Sequence, residues 1–521
     1  MKRIFAFVLA LVLLVSLAAC GGQEDPTTAP TTAPTTAPTP EPTTAPTEPV
    51  IVPVDDNYRN WYEVFVYSYV DSDGDGIGDF NGLATKLEYI YDMGFNGIWL
   101  MPIMQSPSYH KYDVTDYYNT DSDYGTLEDF RNLLQKAHDL GIKVIIDLPV
   151  NHSSDQHPWF INSRQGEDAQ YRDYYVWKAE HEYGFSNWGG MYYESRFVST
   201  MPDLNLDNPA VRDEIGKIME FWLTDVGVDG FRLDAVTSYY TGDIPKNVDM
   251  LTWIGETARS YAPDCYIVGE AWTDLTTIGS YSQARIDSFF TFSVAQQDGS
   301  IAKLLGNAAK TPGQTYGNVI TLIEEALADH SVPAPFLGNH DTARPANFLG
   351  RNQVEKLKMA GGLLAMLPGN PFVYYGEEIG MLGKDDDPNK RIGMLWTVPE
   401  ETTKTPPGTT KAEYNLPGVA DQLADEASLL HYYRTAMWLR HKYPEIARGD
   451  TEIVPCENVD ICIMRRTWNG STITIVVNPS KNAHTVAVEG ELLDVLCATG
   501  EALTQADGTL TMPKYSIAIL K

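Results

Sequence analysis

Four short stretches of this 521-residue chain concentrate the side chains that could do chemistry. They are Asp147-Leu-Pro-Val-Asn151-His152, Gly230-Phe-Arg232-Leu-Asp234, Val268-Gly-Glu270-Ala-Trp272 and Gly338-Asn339-His340-Asp341. Arg232 and Asp234 stand two apart, so on a strand their side chains share a face. A guanidinium so placed favours the ionised carboxylate, the form a nucleophile needs. Glu270 lies among Val268, Gly269, Ala271 and Trp272. Apolar surroundings disfavour the charged form and keep a proton on the acid near neutral pH. Asp341 follows the donor-rich pair Asn339-His340 and suits an ionised carboxylate that grips hydroxyl groups. Each has a plain alternative: a structural salt bridge for Arg232 and Asp234, an exposed strand-end charge for Glu270, ordinary loop composition for Asn-His-Asp. Taken together, a protonated acid and an ionised nucleophile about 5–5.5 Å apart are the equipment of acetal hydrolysis with retention of configuration.

Such groups must be brought together by the elements that carry them, and each stretch ends a short apolar run. Eight such runs occur: Tyr62–Tyr69, Gly97–Met101, Lys143–Leu148, Gly230–Asp234, Tyr266–Glu270, Ser288–Phe292, Pro335–Leu337 and Pro371–Tyr375. Helix-period segments such as Leu127–Leu140 and Ala210–Asp225 lie between most of them. Strands alternating with helices indicate a parallel sheet, and eight of them indicate an α/β fold of the (β/α)8 TIM-barrel type. A doubly wound open sheet is the competing pattern. In a barrel the C-terminal strand ends form one rim, and neighbouring strands lie about 4.8 Å apart, so Asp234 and Glu270 can reach the required spacing. Residues 152–203 hold twelve aromatics among 52 residues, which reads as an inserted domain rather than a connection. From residue 448 the pattern becomes alternating strands without helices, namely Ile461–Thr467, Thr472–Val477 and His484–Val488. A C-terminal antiparallel β-sandwich domain over 448–521 is expected, with the barrel over 58–151 and 204–447.

With these motifs in their order and spacing, the chain from about residue 58 resembles the α-amylase family, glycoside hydrolase family 13. Two flanking motifs strengthen the resemblance: Gly94-Phe-Asn-Gly-Ile-Trp-Leu-Met-Pro102 and Gly369-Asn-Pro-Phe-Val-Tyr-Tyr-Gly-Glu-Glu378. The resemblance implies that Asp234 is the nucleophile, Glu270 the acid/base, and Asp341 a carboxylate binding two hydroxyls of the sugar being cleaved. It implies that Arg232 positions Asp234, that His152 and His340 contact the same sugar, and that Tyr112 stacks on it. Asp113 and Arg344 are expected among the substrate contacts. Residues 152–203 would be the family's domain B. Met201-Pro-Asp-Leu-Asn205 resembles the variant found in amylases intermediate between oligo-1,6-glucosidases and neopullulanases.

One acidic loop asks for a cation. Asp71-Ser-Asp73-Gly-Asp75-Gly-Ile77-Gly-Asp79 places carboxylates at positions 1, 3, 5 and 9 and a carbonyl, that of Ile77, at position 7. Hard oxygen ligands so spaced suit Ca2+. Gly82 stands where an EF-hand would have its closing Glu, so this is a different loop, and it resembles a calcium site of oligo-1,6-glucosidase-like members. A second family calcium site would use Asn151 and a His carbonyl after the strand-four motif. Val236–Tyr240 contains no His, which argues against it.

The N-terminus reads as targeting sequence. Lys2 and Arg3 precede an apolar stretch, and Leu17-Ala18-Ala19-Cys20 resembles a bacterial lipobox. A signal peptide over 1–19 with a lipidated Cys20 is expected; an ordinary signal peptide with a chance Cys is the alternative. Residues 20–57 are expected to be the lipidated Cys and a tether; within them residues 26–49 repeat Thr-Thr-Ala-Pro with no apolar face to bury, an extended stretch able to span ~70 Å. The formal charge is −32, and −34 once Lys2 and Arg3 are removed. That excludes nucleic acid as a partner, and membrane contact other than through the lipid anchor, and it suits a neutral substrate with bound cations. Four cysteines besides Cys20 are too few for a disulfide framework; Cys456 and Cys462 could bridge two strands or stay buried thiols. The expectation is therefore a monomeric, lipid-anchored α-amylase on the extracellular face of a bacterial membrane, acting on internal α-1,4 bonds of starch or maltodextrins. An exo-acting α-glucosidase, oligo-1,6-glucosidase or neopullulanase is the alternative. An inactive carbohydrate-binding protein is a distant third, since all three carboxylates are present.

Overall fold

The computed structural model describes residues 56–306, 309–327, 330–397 and 403–521. The expected signal peptide, Cys20 and most of the tether lie outside them. Among the described residues no helix is long and apolar enough to cross a membrane.

Eight parallel strands form the central sheet: β1 (Trp61–Val64), β2 (Gly97–Leu100), β3 (Lys143–Leu148), β4 (Gly230–Leu233), β5 (Tyr266–Gly269), β6 (Ser288–Thr291), β7 (Val332–Pro335) and β8 (Phe372–Tyr374). Their spatial order is β7-β6-β5-β4-β3-β2-β1-β8, and a parallel bridge between Phe336 and Phe372 joins β7 to β8. That bridge closes the sheet into a barrel and removes the edges an open doubly wound sheet would leave. The interior is aromatic. Trp61 stacks on Tyr266 at 4.8 Å and on Phe372 at 5.6 Å, and Trp99, Phe290 and Phe336 join the same buried cluster. Gly97 has to be glycine here, because a Cβ would lie 2.5 Å from the Trp61 ring.

Two strands differ from the sequence pattern. The first expected run, Tyr62–Tyr69, is cut short: after Val64 the chain enters a 3-10 turn at Val66–Ser68, with the Tyr69 N–H on the Val66 carbonyl at 3.1 Å. The seventh lies earlier than Pro335–Leu337. Pro333 and Pro335 make Val332–Pro335 look unlike a strand because neither can donate to a ladder. The Pro333 carbonyl nevertheless accepts from the Asn370 N–H at 2.8 Å, and all four residues pair with β6.

The helix Leu127–Asp139 begins at a capping box. The Thr126 hydroxyl receives the Asp129 N–H, and the Asp129 carboxylate receives the Thr126 N–H. It buries Phe130, Leu133, Leu134 and Ala137. The interval between β3 and β4 carries a short helix, Pro158–Ser163, and a three-stranded antiparallel sheet of Trp177–Lys178, Met191–Glu194 and Phe185–Trp188. An isolated bridge pairs His152 with Asp203 across the foot of this excursion. Beyond Arg448 a five-stranded and a three-stranded antiparallel sheet enclose Ile463, Val476, Leu510, Met512 and Ala518. Cys456 and Cys462 are free thiols, so the possible bridge does not form. Burial pushes the Cys462 thiol up to about 12.

Candidate active site

The first four catalytic-type side chains leave the barrel side by side. In the parallel ladder Asp147 is paired with Arg232, and Leu233 with Gly269, so Asp234 and Glu270 are the next residues on adjacent strands. Arg232 is fully buried and joins all three carboxylates. Its Nη1 donates to both oxygens of Asp147 at 2.9 Å and to Asp234 Oδ1 at 2.6 Å. Its Nη2 lies 3.0 Å from Glu270 Oε1, an ion pair outside hydrogen-bonding alignment. Trp99 forms the floor beneath, with the guanidinium 5.1 Å from its ring.

The surroundings drive the carboxylates apart in character. Burial pushes Glu270 up to about 7 against the pull of Arg232, and the charges of Asp234 and Asp341 add to the rise. Its Oε2 accepts the Ala235 N–H at 3.0 Å. Glu270 therefore keeps its proton to a higher pH than a free glutamate does, the direction its apolar neighbours imply. Burial likewise pushes Asp147 up to about 7, again opposed by Arg232. Burial also works against charge on Asp341, but the His340 imidazolium and the Arg391 guanidinium outweigh it and hold this carboxyl well below the usual range.

His340 is the hub of the second half of the site. Its Nδ1 donates to Glu63 Oε1 at 2.6 Å, and its Nε2 lies 3.0 Å from Asp341 Oδ2 and 2.6 Å from the Tyr112 hydroxyl. Burial disfavours its charge, yet Asp341 and Glu63 raise it to about 9, so it is an imidazolium at neutral pH. The Tyr112 hydroxyl donates to Asp147 Oδ2 at 3.0 Å, and its ring stacks on His340 at 5.6 Å. One hydrogen-bonded chain thus runs from Glu63 through His340 and Tyr112 to Asp147 and Arg232.

The remaining expected contacts fall in different places. His152 is buried, burial lowers its pKa, and its Nε2 has no hydrogen-bond partner among the described residues. Asp113 receives the Ser106 hydroxyl at 2.8 Å and that of Ser108, and its charge acts on His152. Arg344 is turned away from the carboxylates. Its Nε donates to the Lys390 carbonyl at 3.0 Å, its Nη1 to the Tyr375 carbonyl at 2.5 Å, and its guanidinium lies 4.1 Å from the Tyr374 ring. It fixes the loop after β8. Arg391, on that same loop, meets Asp341: Nη2 to Oδ1 is 2.7 Å, while Nε holds the His340 carbonyl at 3.1 Å. Lys390 Nζ adds a bond to the Asp341 carbonyl at 2.8 Å. Sequence reading missed Arg391, Lys390 and Glu63. For Arg391 and Lys390 the signal was position: all βα loops of a barrel reach one rim, so charges following β8 were candidates.

The acidic loop after β1 brings together part of its expected set. One oxygen each of Asp71, Asp73 and Asp79 lies within 4.8 Å of the others. Gly74 and Gly76, at φ +87° and +93°, allow the turn. Asp71 accepts the Gly76 N–H at 2.7 Å, and Asp79 caps the following helix through the Gly82 N–H at 2.8 Å. Asp75 stands apart, its carboxylate on the Ile77 N–H at 2.6 Å and its carbonyl on the Lys404 ammonium. Three hard carboxylates on a glycine-rich turn fit a calcium-sized cation. At the second family calcium position, which the missing His argued against, Asn151 turns its amide to Asp203 at 3.2 Å.

The family described as "Alpha amylase, catalytic domain" matches residues 63–449. An "Alpha-amylase 3" of Dictyoglomus thermophilum is 37% identical over 479 residues, covering 89% of this chain and 93% of that one. An "Oligo-1,6-glucosidase" of Heyndrickxia coagulans is 31% identical, covering 81% of this chain and 91% of that one. Among solved structures, "Eubacterium rectale Amy13B" superposes with a TM-score of 0.87 at 42% identity, covering 90% of this chain and 96% of that one.

Proposed function

The chain belongs to the α-amylase family, glycoside hydrolase family 13, and on that premise we propose that it is an extracellular retaining hydrolase of internal α-1,4-glucosidic bonds in starch and maltodextrins. The observation that carries this reading is the shared guanidinium of Arg232, bonded to Asp234 at 2.6 Å on one side and 3.0 Å from Glu270 on the other, with burial pushing the Glu270 carboxyl up to about 7. Asp234 and Glu270 follow paired residues on adjacent strands. At an interstrand spacing of about 4.8 Å their carboxyls can meet the ~5–5.5 Å separation of retaining enzymes.

In the first step Asp234 attacks the anomeric carbon while Glu270 passes its proton to the departing glycosidic oxygen. The C–O bond to the leaving chain breaks as the C–O bond to Asp234 forms. In the second step the Glu270 carboxylate takes a proton from water, whose oxygen displaces Asp234 and restores the starting anomer. Arg232 aligns Asp234 throughout. Asp341, ionised and backed by His340 and Arg391, accepts hydrogen bonds from hydroxyls of the sugar being cleaved. His152 would contact the same sugar.

The endo-amylase reading is supported by the Dictyoglomus relative and by the expected tether, which would hold a polymer-cleaving enzyme outside the cell. The Heyndrickxia relative favours a second reading, exo-action on short α-1,6-linked oligosaccharides. Asp71, Asp73 and Asp79 would hold Ca2+, which would brace the loop after β1. Product analysis on soluble starch, pullulan and p-nitrophenyl α-glucoside separates the two readings. The endo reading predicts a rapid fall of iodine staining with mixed maltooligosaccharides; glucose alone, with staining intact, would sink it.

A further inference from the structure

A cleft of about 550 Å3 has none of Asp234, Glu270 and Asp341 in its lining. Its walls combine aromatic rings with polar groups: Trp159 and Tyr118, the exposed amides of Gln105 and Gln156, and the carboxylates of Asp116 and Glu214. That volume lies within the range of small-ligand sites. Trp159 is half-buried and rigidly seated, stacked on Tyr117 at 5.7 Å with interplanar angle 19° and packed on His157 at 4.1 Å. Tyr118 is fixed by its hydroxyl on Glu214 at 2.9 Å. Asp116 gives one carboxylate oxygen to the Tyr118 N–H at 2.9 Å, which leaves the second to accept from a ligand.

Fixed aromatic faces beside amides and acceptor carboxylates recognise a neutral polyhydroxylated molecule, whose C–H faces stack and whose hydroxyls donate. An anion would meet the carboxylates of Asp116 and Glu214: none of the groups lining this cleft is a lysine or arginine, and the nearby Lys217 ammonium is taken up by Glu214 at 3.1 Å. We propose that this cleft is a second α-glucan-binding site, separate from the catalytic one. The ligand class rests on the α-glucan reading of the active site.

Both walls belong to segments that also carry active-site side chains. Residues 105 and 115–118 bracket the loop of Tyr112 and Asp113, and residues 156–159 follow Asn151 and His152. The Ser154 N–H on the Val114 carbonyl at 2.9 Å ties the segments together. Beneath Trp159, the Tyr117 hydroxyl donates to the His152 carbonyl at 2.8 Å. A chain of substrate held here is retained close to the cleft that cuts it.

The test uses the full-length chain carrying Glu270→Gln, so that ligand is bound without being cut. Calorimetry with maltoheptaose and mobility in starch-containing native gels are measured for this parent, for Trp159→Ala, and for the Gln105→Ala/Gln156→Ala pair, which touches only exposed side chains. Two binding events are expected in the parent and one in Trp159→Ala, with affinity for starch weakened about tenfold or more. The glutamine pair should weaken the same event, and in the active background neither change should alter the rate on a p-nitrophenyl maltoside. One binding event in the parent, unchanged in both variants, overturns the second site while leaving the active-site reading intact. No glucan binding to the parent at all overturns both. If Trp159→Ala unfolds, the glutamine pair decides alone.

Discussion

Replacing Arg391 by alanine removes the guanidinium that grips Asp341 at 2.7 Å and the N–H that holds the His340 carbonyl. A hydrogen bond to a charged group contributes about 1.5–3 kcal/mol. The Asp341 side chain is 28% exposed, so water compensates part of the loss. At about 1.4 kcal/mol per tenfold in rate, kcat/KM on a maltooligosaccharide should fall about 10- to 100-fold. The loss should deepen on acidification. Arg391 helps hold the Asp341 carboxyl well below its usual range. Without it that carboxyl protonates at a higher pH, and activity is lost earlier as pH falls. Arg391→Lys keeps the charge but not the fork, and should fall between the two. The assay is kcat/KM from pH 4 to 9, with circular dichroism as the folding control. A folded Arg391→Ala enzyme within twofold of wild type, with an unmoved acid limb, refutes the role given to Arg391.

Glu270 sits at about 7, so its proton is present below that pH and lost as pH rises through it. The alkaline limb of kcat/KM should therefore fall near 7, and Glu270→Gln should abolish that limb and cost about 10²–10⁴-fold on maltooligosaccharides. The loss should be far smaller on a glycosyl fluoride, whose leaving group needs no proton; an equal loss on both substrates contradicts the acid role. Chelation with EDTA should lower Tm, and Ca2+ should restore it, since a ligand at a hundredfold excess over Kd stabilises by about 2.7 kcal/mol. Asp73→Asn should remove that response, and a Tm indifferent to EDTA in the wild type excludes a stabilising calcium at Asp71, Asp73 and Asp79.

Much of this was legible because barrel strands are short, apolar and buried, so the polar residue ending each one stands out. Asp234, Glu270 and His340 were visible for that reason. Arg391 was not, because Lys384-Asp-Asp-Asp-Pro-Asn-Lys-Arg391 has the composition of a solvated loop, and its partner Asp341 is 50 residues away. Arg344 is closer in sequence to Asp341. Its extended backbone at the start of a helix instead sends the guanidinium onto Tyr374 and Tyr375. Glu63 is a polar position within an apolar run; only closure of the barrel brings β1 against the loop of His340. The seventh strand was misplaced because proline removes a donor, which counts against a strand locally, while parallel pairing to β6 and the Asn370 N–H on Pro333 override that cost.

Double displacement by Asp234 and Glu270 is most directly tested by the anomer released first. Proton NMR during the first seconds of maltooligosaccharide cleavage, before mutarotation, should show the new reducing end in the α configuration. A β anomer appearing first would mean a single displacement by water, and would contradict the assignment of Asp234 as the nucleophile.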